Sequence, residues 1–176
     1  MKIRRLFSEQ EVEAAVHRAA TEVQALFPPG EPVMVLTLLN GALWFAADLL
    51  RLLPAEFELE SVRVSSYGDA HESCGRLTWK SPMPDCKGRR VLVLDDVLDS
   101  GISLQAVTAA LREAGAVQVS TAVAVSKDGC RRVPFEADVT ALHAPALYLV
   151  GYGMDDAGRF RNLPYIGVLK PEVYGG

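Results

Sequence analysis

The sequence predicts an α/β fold in which a central, mostly parallel, twisted sheet is flanked by helices. Two apolar runs, Val33–Leu39 and Val91–Leu94, have no alternating polar residues and are typical of strands buried on both faces. Each run is followed by a short glycine-containing turn and then by a helical pattern, which favours strands paired in parallel with helices on both faces. The 176 residues, 49% of them hydrophobic, are most simply one domain, 1–176, with a sizeable core.

The first helix is predicted directly after Ser8. Ser8 and Glu11 have the spacing of a capping box, and apolar residues recur at helical spacing from Val12 to Leu26. The Phe-Pro-Pro-Gly run at 27–30 ends the pattern. We interpret this helix as a packing element without chemistry.

The first apolar strand leads into a second helix. Asn40-Gly41 follows the strand, and a helical pattern then covers Ala42–Leu53 up to Pro54. Taken alone, this turn is explained by a simple strand-to-helix connection. Two such units in one sheet, however, can place two phosphate sites side by side.

An alternating segment follows, but its phase changes. Phe57 and Leu59 are out of phase with Val62 and Val64, which predicts a bulge or a break between strands. The polar stretch 68–75 then separates this segment from the short run Leu77–Trp79. The pattern predicts two antiparallel strands joined by a long, mobile loop. Such a loop is either a hairpin without a role or a lid that excludes water from a reactive centre.

The second apolar strand carries the acidic residues around which the chain is organised. Asp95 and Asp96 follow Leu94, and the turn Asp99–Gly101 precedes a helical pattern that Gly115 ends. Acidic and serine residues in this position can be ordinary helix caps. Capping does not explain three carboxylates within five residues. A helix N-terminus that binds phosphate, beside carboxylates that bind hydroxyls or a hard cation, indicates a phosphorylated sugar as ligand.

Three more strands are predicted, at Val117–Val125, Val139–His143 and Leu147–Val150. Lys127 follows the first of them and is expected at the same sheet edge as the acidic turn. Gly151 and Gly153 bend the chain after the last strand. The charged residues that follow are, taken alone, typical of a surface loop of ion pairs: Asp155, Asp156, Arg159 and Arg161.

Composition excludes several classes of function. A net charge of −4 and a pI near 5.4 argue against a general binder of nucleic acid or anionic membranes. No apolar run is as long as a membrane span, and the first ten residues lack the apolar core of a signal peptide. The cysteines Cys74, Cys86 and Cys130 have no metal-ligand spacing and fit a reducing cytosol, so we expect a cytoplasmic protein.

Four runs, in this order, resemble the hypoxanthine-guanine phosphoribosyltransferases of the type I phosphoribosyltransferase family. They are SSYG at 65–68, VLVLDDVLDSGISL at 91–104, SKDGCRR at 126–132 and YLVGYGMDDAGRFRNLPYIGVL at 148–169. The second run resembles type I phosphoribosyltransferases in general, whereas the last is similar to the branch that uses 6-oxopurines. The resemblance extends from about Val33 to Tyr174. It implies the type I fold, with a small hood formed by the N-terminal and C-terminal segments and a mobile lid hairpin.

The resemblance implies roles for the central motif. Asp95 and Asp96 would hold the ribose hydroxyls of phosphoribosyl pyrophosphate. The turn residues would bind its 5-phosphate: Asp99, Ser100, Gly101, Ile102 and Ser103. Asp99 would also be the base that takes the proton from N7 of the purine.

It also implies the pyrophosphate and metal sites. The pyrophosphate would be bound by Leu39, Asn40, Gly41 and Arg161. Mg²⁺ would be held by Asp95, Asp96 and Asp155. Magnesium and arginine stabilise the negative charge that the pyrophosphate gains as it leaves the sugar.

The remaining implied roles concern the purine and the lid. Lys127 would donate to the purine O6, because an ammonium has three donors and no acceptor and therefore favours an oxo group over an amino group. Tyr148 would stack on the ring and Leu149 would offer backbone groups to its edge. Asp155 would also belong to the purine-binding residues. Ser66 and Tyr67 would begin the lid.

Three residues depart from the family pattern. Asn40 stands where a lysine is usual, which removes a cation from the pyrophosphate turn. Asp95 replaces a commoner glutamate and Ser100 a commoner threonine, and both keep the chemistry.

The expected function is therefore condensation of hypoxanthine or guanine with phosphoribosyl pyrophosphate in purine salvage, by a homodimer or homotetramer that uses Mg²⁺. The sequence does not rank hypoxanthine, guanine and xanthine. An alternative from another class is an RNA-binding regulator on the same fold, which would need a basic face. A phosphoacceptor receiver domain, which would begin with a strand and an early acidic pair, fits poorly with a chain that begins with a capped helix.

Overall fold

The computed structural model describes residues 2–67 and 76–170. In chain order its elements are β1 (Lys2–Phe7), α1 (Glu9–Ala25), β2 (Val33–Leu39), α2 (Leu43–Leu50), β3 (Phe57–Tyr67), β4 (Arg76–Trp79), β5 (Arg90–Leu98), α3 (Ile102–Glu113), β6 (Gln118–Lys127), β7 (Val139–Ala144), β8 (Leu149–Val150) and β9 (Ile166–Lys170).

Six strands form the main sheet, in the order β4-β3-β2-β5-β6-β7. β4 is antiparallel to β3, and every other neighbouring pair is parallel. This confirms the predicted α/β class and the mostly parallel sheet. The polar stretch 68–75 that separates β3 from β4 lies outside the described residues.

Two apolar clusters cover the faces of this sheet. On one face, α1 and α2 pack on alternate strand residues such as Val35 and Leu92. On the other, α3 packs on the intervening ones, such as Leu36 and Val93. Both kinds of strand residue are fully buried, which is why β2 and β5 show no polar alternation.

The capping residues set the bounds of α1 and α2. Ser8 and Glu11 form the predicted capping box at the start of α1, with reciprocal side-chain and backbone hydrogen bonds. α2 runs from Leu43 to Leu50 and is shorter than the predicted Ala42–Leu53, since Ala42 is its N-cap and Arg51 its C-cap. None of the described helices is long and apolar enough to cross a membrane.

The prediction of a bulge or a break between Leu59 and Val62 is wrong. β3 is continuous, and its parallel register with β2 runs unbroken from Phe57 to Arg63. The change of phase has another cause. Phe57 packs on the α1–α2 face, where its ring meets Phe27 edge-on, whereas Val62 is buried on the α3 face. Leu59 is 58% exposed.

A second, three-stranded sheet has the order β1-β9-β8. Its neighbours are antiparallel, and β1 contains an irregularity between Arg5 and Phe7. The residue patterns did not predict β1 or β9 as strands. β1 alternates too weakly, because Lys2, Arg4 and Arg5 crowd its short length. β9 follows the charged residues 155–161, in a stretch for which no strand was predicted.

Candidate active site

The acidic pair lies inside β5 and not beyond its end. The strand continues to Leu98, because β6 pairs with it as far as Leu98–Ser126, while β2 stops pairing at Leu94. Asp95 and Asp96 therefore lie on a part of β5 that is no longer paired with β2. The Asp95 carboxylate accepts from the Asp96 N–H (2.9 Å), and the Asp96 carboxylate accepts from the Val97 N–H (2.8 Å).

Both carboxyl groups are held where ionisation is costly. Burial raises the pKa of Asp95 well above its ordinary value, and the neighbouring Asp96 carboxylate raises it further. Burial also raises the pKa of Asp96, although the Arg161 guanidinium acts in the opposite direction. Groups perturbed in this way are candidates for ligand binding.

The turn after β5 is not a simple helix cap. The N-cap of α3 is Gly101, which has no side chain and adopts a left-handed conformation (φ 82°). The Ser100 hydroxyl accepts only a long bond from the Ile102 N–H (3.4 Å). The Asp99 carboxylate pairs with Lys127 instead of capping the helix. Ser103 is the second residue of α3, so Asp99–Ser103 form one continuous segment at the helix N-terminus, an arrangement suited to phosphate.

Asp99 and Lys127 are joined across the ends of neighbouring strands. The Lys127 ammonium lies 3.0 Å from the Asp99 carboxylate, and the lysine side chain is only 13% exposed against 52% for the aspartate. The prediction that Lys127 lies at the edge of the acidic turn is confirmed. Cys130 lies beside them: burial and the Asp99 carboxylate raise the pKa of its thiol.

The turn after β2 lies against the acidic pair. A Cβ atom on Gly41 would be 1.9 Å from an Asp96 carboxylate oxygen, so any larger residue there would displace that carboxylate. The peptide bond between Leu39 and Asn40 is cis. The Asn40 side-chain oxygen accepts from the guanidinium of Arg63 (2.9 Å), which pairs with Leu39 within β3 and so brings a cation to this turn.

The segment after β8 closes over the same turn. A Cβ atom on Gly153 would be 2.0 Å from the Gly41 carbonyl oxygen. Arg161 donates to the Gly153 carbonyl (2.5 Å) and pairs with Asp155 (2.9 Å), whose other oxygen accepts from the Gly158 N–H (2.6 Å). The turn after β2, the acidic pair and Arg161 therefore form one continuous group.

The charged loop contains two kinds of ion pair. Asp156 and Arg159 form an exposed surface pair (2.7 Å), as the simpler interpretation of this loop expected. The Asp155–Arg161 pair is more buried and lies on the side of the acidic pair.

Tyr148 and Leu149 lie at the other end of this segment. Tyr148 is 54% exposed, and its hydroxyl donates to the Asp156 carboxylate (3.3 Å). Partial loss of solvent around the phenol raises its pKa, and the Asp156 carboxylate raises it further. The Leu149 side chain is buried in the core, so any contact of this residue with a ligand would have to come from its backbone. Within the described residues, hydrogen bonds tie Tyr148 to Asp155 and Asp156 and not to the Asp99–Lys127 pair.

The lid residues are only partly described. Ser66 and Tyr67 end β3 and pair with Leu77 and Arg76 of β4. Residues 68–75, which include His71 and Cys74, lie outside the described part of the chain.

Two arginines were missed by sequence reasoning. Arg63 lies in the alternating segment. Arg131 lies in the run 126–132 that resembles the family, but within this run only Lys127 was given a role. Arg131 donates to the main chain of both Asp99 and Lys127. The one available signal was that Arg131 follows Lys127 within a short turn.

Comparison with known proteins identifies the family. Residues 3–156 match the phosphoribosyl transferase domain. The chain is 35% identical over 170 residues to the hypoxanthine-guanine phosphoribosyltransferase of Bacillus subtilis (strain 168), covering 96% of this chain and 94% of that protein. It is 36% identical over 170 residues to the bifunctional protein TilS/HprT of Listeria innocua, of which it spans 26%. A crystal structure of a hypoxanthine phosphoribosyltransferase from Staphylococcus aureus matches with a TM-score of 0.90 at 27% identity, covering 98% of this chain and 94% of that one.

Proposed function

This chain belongs to the hypoxanthine-guanine phosphoribosyltransferases, and on that premise we propose that it condenses a 6-oxopurine with 5-phosphoribosyl 1-pyrophosphate. The products are IMP from hypoxanthine or GMP from guanine, together with pyrophosphate. The enzyme then serves purine salvage.

The Asp99–Lys127 pair carries this proposal. N7 and O6 lie on the same edge of a 6-oxopurine, so a base for N7 and a donor for O6 must be neighbours. The Asp99 carboxylate and the Lys127 ammonium are 3.0 Å apart at the ends of adjacent strands. A bound purine would separate this ion pair, and each group would then contact the purine, Asp99 at N7 and Lys127 at O6. A lysine that only donates would disfavour the amino group of adenine at the same position.

The reaction forms the bond between N9 of the purine and C1 of the ribose while the bond from C1 to the pyrophosphate oxygen breaks. Asp99 takes the proton from N7. Asp95 and Asp96 hold the ribose hydroxyls, and Asp99–Ser103 at the start of α3 hold the 5-phosphate. Arg161 and the turn Leu39–Gly41 receive the pyrophosphate, and Tyr148 and the Leu149 backbone contact the purine.

The acidic residues suit magnesium. Asp95 and Asp96 are neighbouring oxygen donors, partly buried and with raised pKa values, and a divalent cation would stabilise their charged forms. Both Asp155 oxygens already have partners, and each keeps a further lone pair for a cation. No cluster of three or more possible metal-ligating side chains is found among the described residues. Mg²⁺ commonly takes its other ligands from water and substrate phosphates. When bound, it would supply Lewis-acid charge at the leaving pyrophosphate.

The proposal also covers the domain organisation, the oligomeric state and the cellular compartment. Residues 1–176 form one transferase domain, the β1-β9-β8 sheet is its hood, and Ser66 and Tyr67 begin a lid that excludes water. The enzyme acts in the cytoplasm as a homodimer or homotetramer. The free thiols of Cys86 and Cys130 agree with a reducing compartment. Light scattering after size-exclusion chromatography measures the oligomeric state.

The direct test measures product formation from hypoxanthine, guanine, xanthine and adenine, each with phosphoribosyl pyrophosphate and Mg²⁺. We expect turnover with hypoxanthine and guanine and little with adenine. A parallel series with excess EDTA should lose most of this turnover, and added Mg²⁺ should restore it. Use of adenine alone, or no turnover with any purine, would refute the proposed function.

A further inference from the structure

We propose that Arg131 is a positioning residue that fixes the distance between Asp99 and Lys127, and thereby sets both turnover and purine preference. The inference rests on the proposed function, in which these two groups meet neighbouring atoms of the purine.

The Arg131 guanidinium reaches both strand ends at once. Its Nη1 atom donates to the carbonyls of Asp99 (2.9 Å) and Lys127 (3.0 Å), and also to the carbonyl of Leu98 (3.1 Å). One nitrogen therefore contacts the main chain of the base and of the O6 donor. The ladder between β5 and β6 ends at Leu98 and Ser126, so it does not join Asp99 to Lys127, although Lys127 itself still pairs with Ala144 of β7.

The other nitrogens hold the guanidinium in place. Nη2 donates to the buried Ser126 hydroxyl (2.5 Å) and to Glu136 (3.2 Å), and Nε donates to the Phe135 carbonyl (3.0 Å). The Arg131 side chain is only 17% exposed. Hydrogen bonds of a partly buried cation are among the strong ones, and the planar fork fixes their directions.

The loop that carries Arg131 also supports the phosphate turn. The Arg132 N–H donates to the Ser100 carbonyl (2.9 Å). A Cβ atom on Gly101 would lie 3.1 Å from Phe135 and 3.2 Å from Val133, so the loop packs closely on the turn. The phosphate turn, the base and the purine donor are therefore linked through one segment, and a displacement of Arg131 would move Asp99 relative to Lys127.

Lysine cannot replace this arginine, since its single nitrogen cannot reach acceptors on three sides. Arg131→Lys keeps the charge but should lower kcat by on the order of 10–10²-fold, the cost of a small misplacement of reacting groups. It should also reduce the preference for hypoxanthine over adenine. The matched control is Arg132→Lys, which changes an exposed side chain in the same loop, leaves the backbone N–H in place and should keep both quantities.

A double-mutant cycle separates positioning from a general structural role. Lys127→Gln alone should weaken hypoxanthine use and narrow the gap to adenine, because an amide can both donate and accept. If Arg131 acts through Lys127, then Arg131→Lys should leave the preference of the Lys127→Gln enzyme nearly unchanged. Residues that act independently would instead give multiplied effects on the preference.

The outcomes are distinct. A wild-type enzyme that does not turn over any purine refutes the proposed function before Arg131 is tested. With an active wild type, unchanged kcat and preference in Arg131→Lys, or multiplied effects in the cycle, overturn the positioning role. A lower melting temperature with unchanged kcat overturns it as well. If Arg131→Lys does not fold, Ser126→Ala takes its place: it removes one acceptor of the guanidinium and should lower kcat several-fold, and an unchanged kcat overturns the proposal.

Discussion

The two halves of the candidate site are held together by different means. The purine side, which we define as Asp99, Lys127 and Arg131, is organised by charged side chains that bridge two strand ends. The pyrophosphate side, which we define as Leu39–Gly41, Gly153 and Arg161, is organised largely by main chain lying against its neighbours at distances that leave no room for a Cβ atom. The purine side should therefore be sensitive to loss of a functional group, and the pyrophosphate side to addition of an atom.

The largest expected effect tests the purine side by chemistry alone. Asp99→Asn keeps an oxygen that can accept from Lys127, so the arrangement should survive while the base is lost. General-base loss typically costs about 10²–10⁴-fold in rate. We expect a fall of that size in kcat, with phosphoribosyl pyrophosphate affinity largely kept.

The matched control is Asp128→Asn, which neutralises an exposed carboxylate in the neighbouring turn. Steady-state kinetics of both variants give the comparison. A normal kcat in Asp99→Asn, or an equal loss in Asp128→Asn, would show that Asp99 is not the base.

The second test adds one carbon to the pyrophosphate side. Gly41→Ala would place Cβ against the Asp96 carboxylate, which is itself fixed by the Val97 N–H. Overpacking of this kind typically costs about 1–3 kcal/mol. We expect a lower free energy of unfolding in urea and weaker pyrophosphate binding by calorimetry.

Gly88→Ala is its control. A Cβ atom at Gly88 would meet nothing within 4 Å, although φ is 70° there. That variant should show only the modest cost of a left-handed alanine, about 1 kcal/mol, and normal pyrophosphate affinity. Equal affinities in Gly41→Ala and wild type would mean that the turn does not face the pyrophosphate.

The third test concerns Asp95, at the junction of the two sides. Its raised pKa means that the folded state binds more protons than the unfolded state between the ordinary and the raised value, so stability falls as pH rises through that window. Asp95→Asn keeps the oxygen that accepts from the Asp96 N–H and removes the buried charge. We expect it to be more stable than wild type at pH 8 by about 1 kcal/mol, yet weaker in binding phosphoribosyl pyrophosphate.

Urea unfolding with EDTA present, at pH 4 and pH 8, measures this effect. The advantage of the variant should shrink towards the lower pH, where the wild-type carboxyl is protonated. A variant less stable than wild type at pH 8 would show that the carboxylate is stabilising in the free protein.

The smallest expected effect is at Asn40. An added ammonium near a bound pyrophosphate should strengthen its binding free energy by roughly 1 kcal/mol, or several-fold in affinity. This figure allows for ionic screening and for the entropy lost when the lysine side chain is ordered. The Asn40 oxygen, however, holds the Arg63 guanidinium, and a lysine would repel it. Asn40→Lys should therefore tighten pyrophosphate binding less in the wild-type background than in Arg63→Gln.

Calorimetric Kd values for pyrophosphate with Mg²⁺, for the wild type, both single variants and the double variant, complete the comparison. An equal gain in both backgrounds would mean that Arg63 contributes nothing at this turn.

Local patterns predicted the elements that carry the site. The strands β2 and β5, the helix after each and the edge position of Lys127 follow from apolar runs and turn residues that act over a few positions. The extension of β5 to Leu98 does not, because it depends on pairing with β6. Contacts between distant segments, such as Gly41 with Asp96 and Arg131 with Asp99, leave no periodic signal, since each depends on how separate loops meet in the folded chain.

The pairing of β1 with β9 has a consequence for folding. Arg4 lies beside Val168, so this ladder closes a loop that contains nearly the whole chain. Loops of this length form late, since their entropic cost is met only when the intervening segments are already packed. During synthesis the main sheet can assemble first, and β1 can pair only after β9 has left the ribosome. The segment that contains Gly153 and Arg161 is anchored between β8 and β9. Catalytic competence should therefore appear at the end of folding, after most of the native secondary structure.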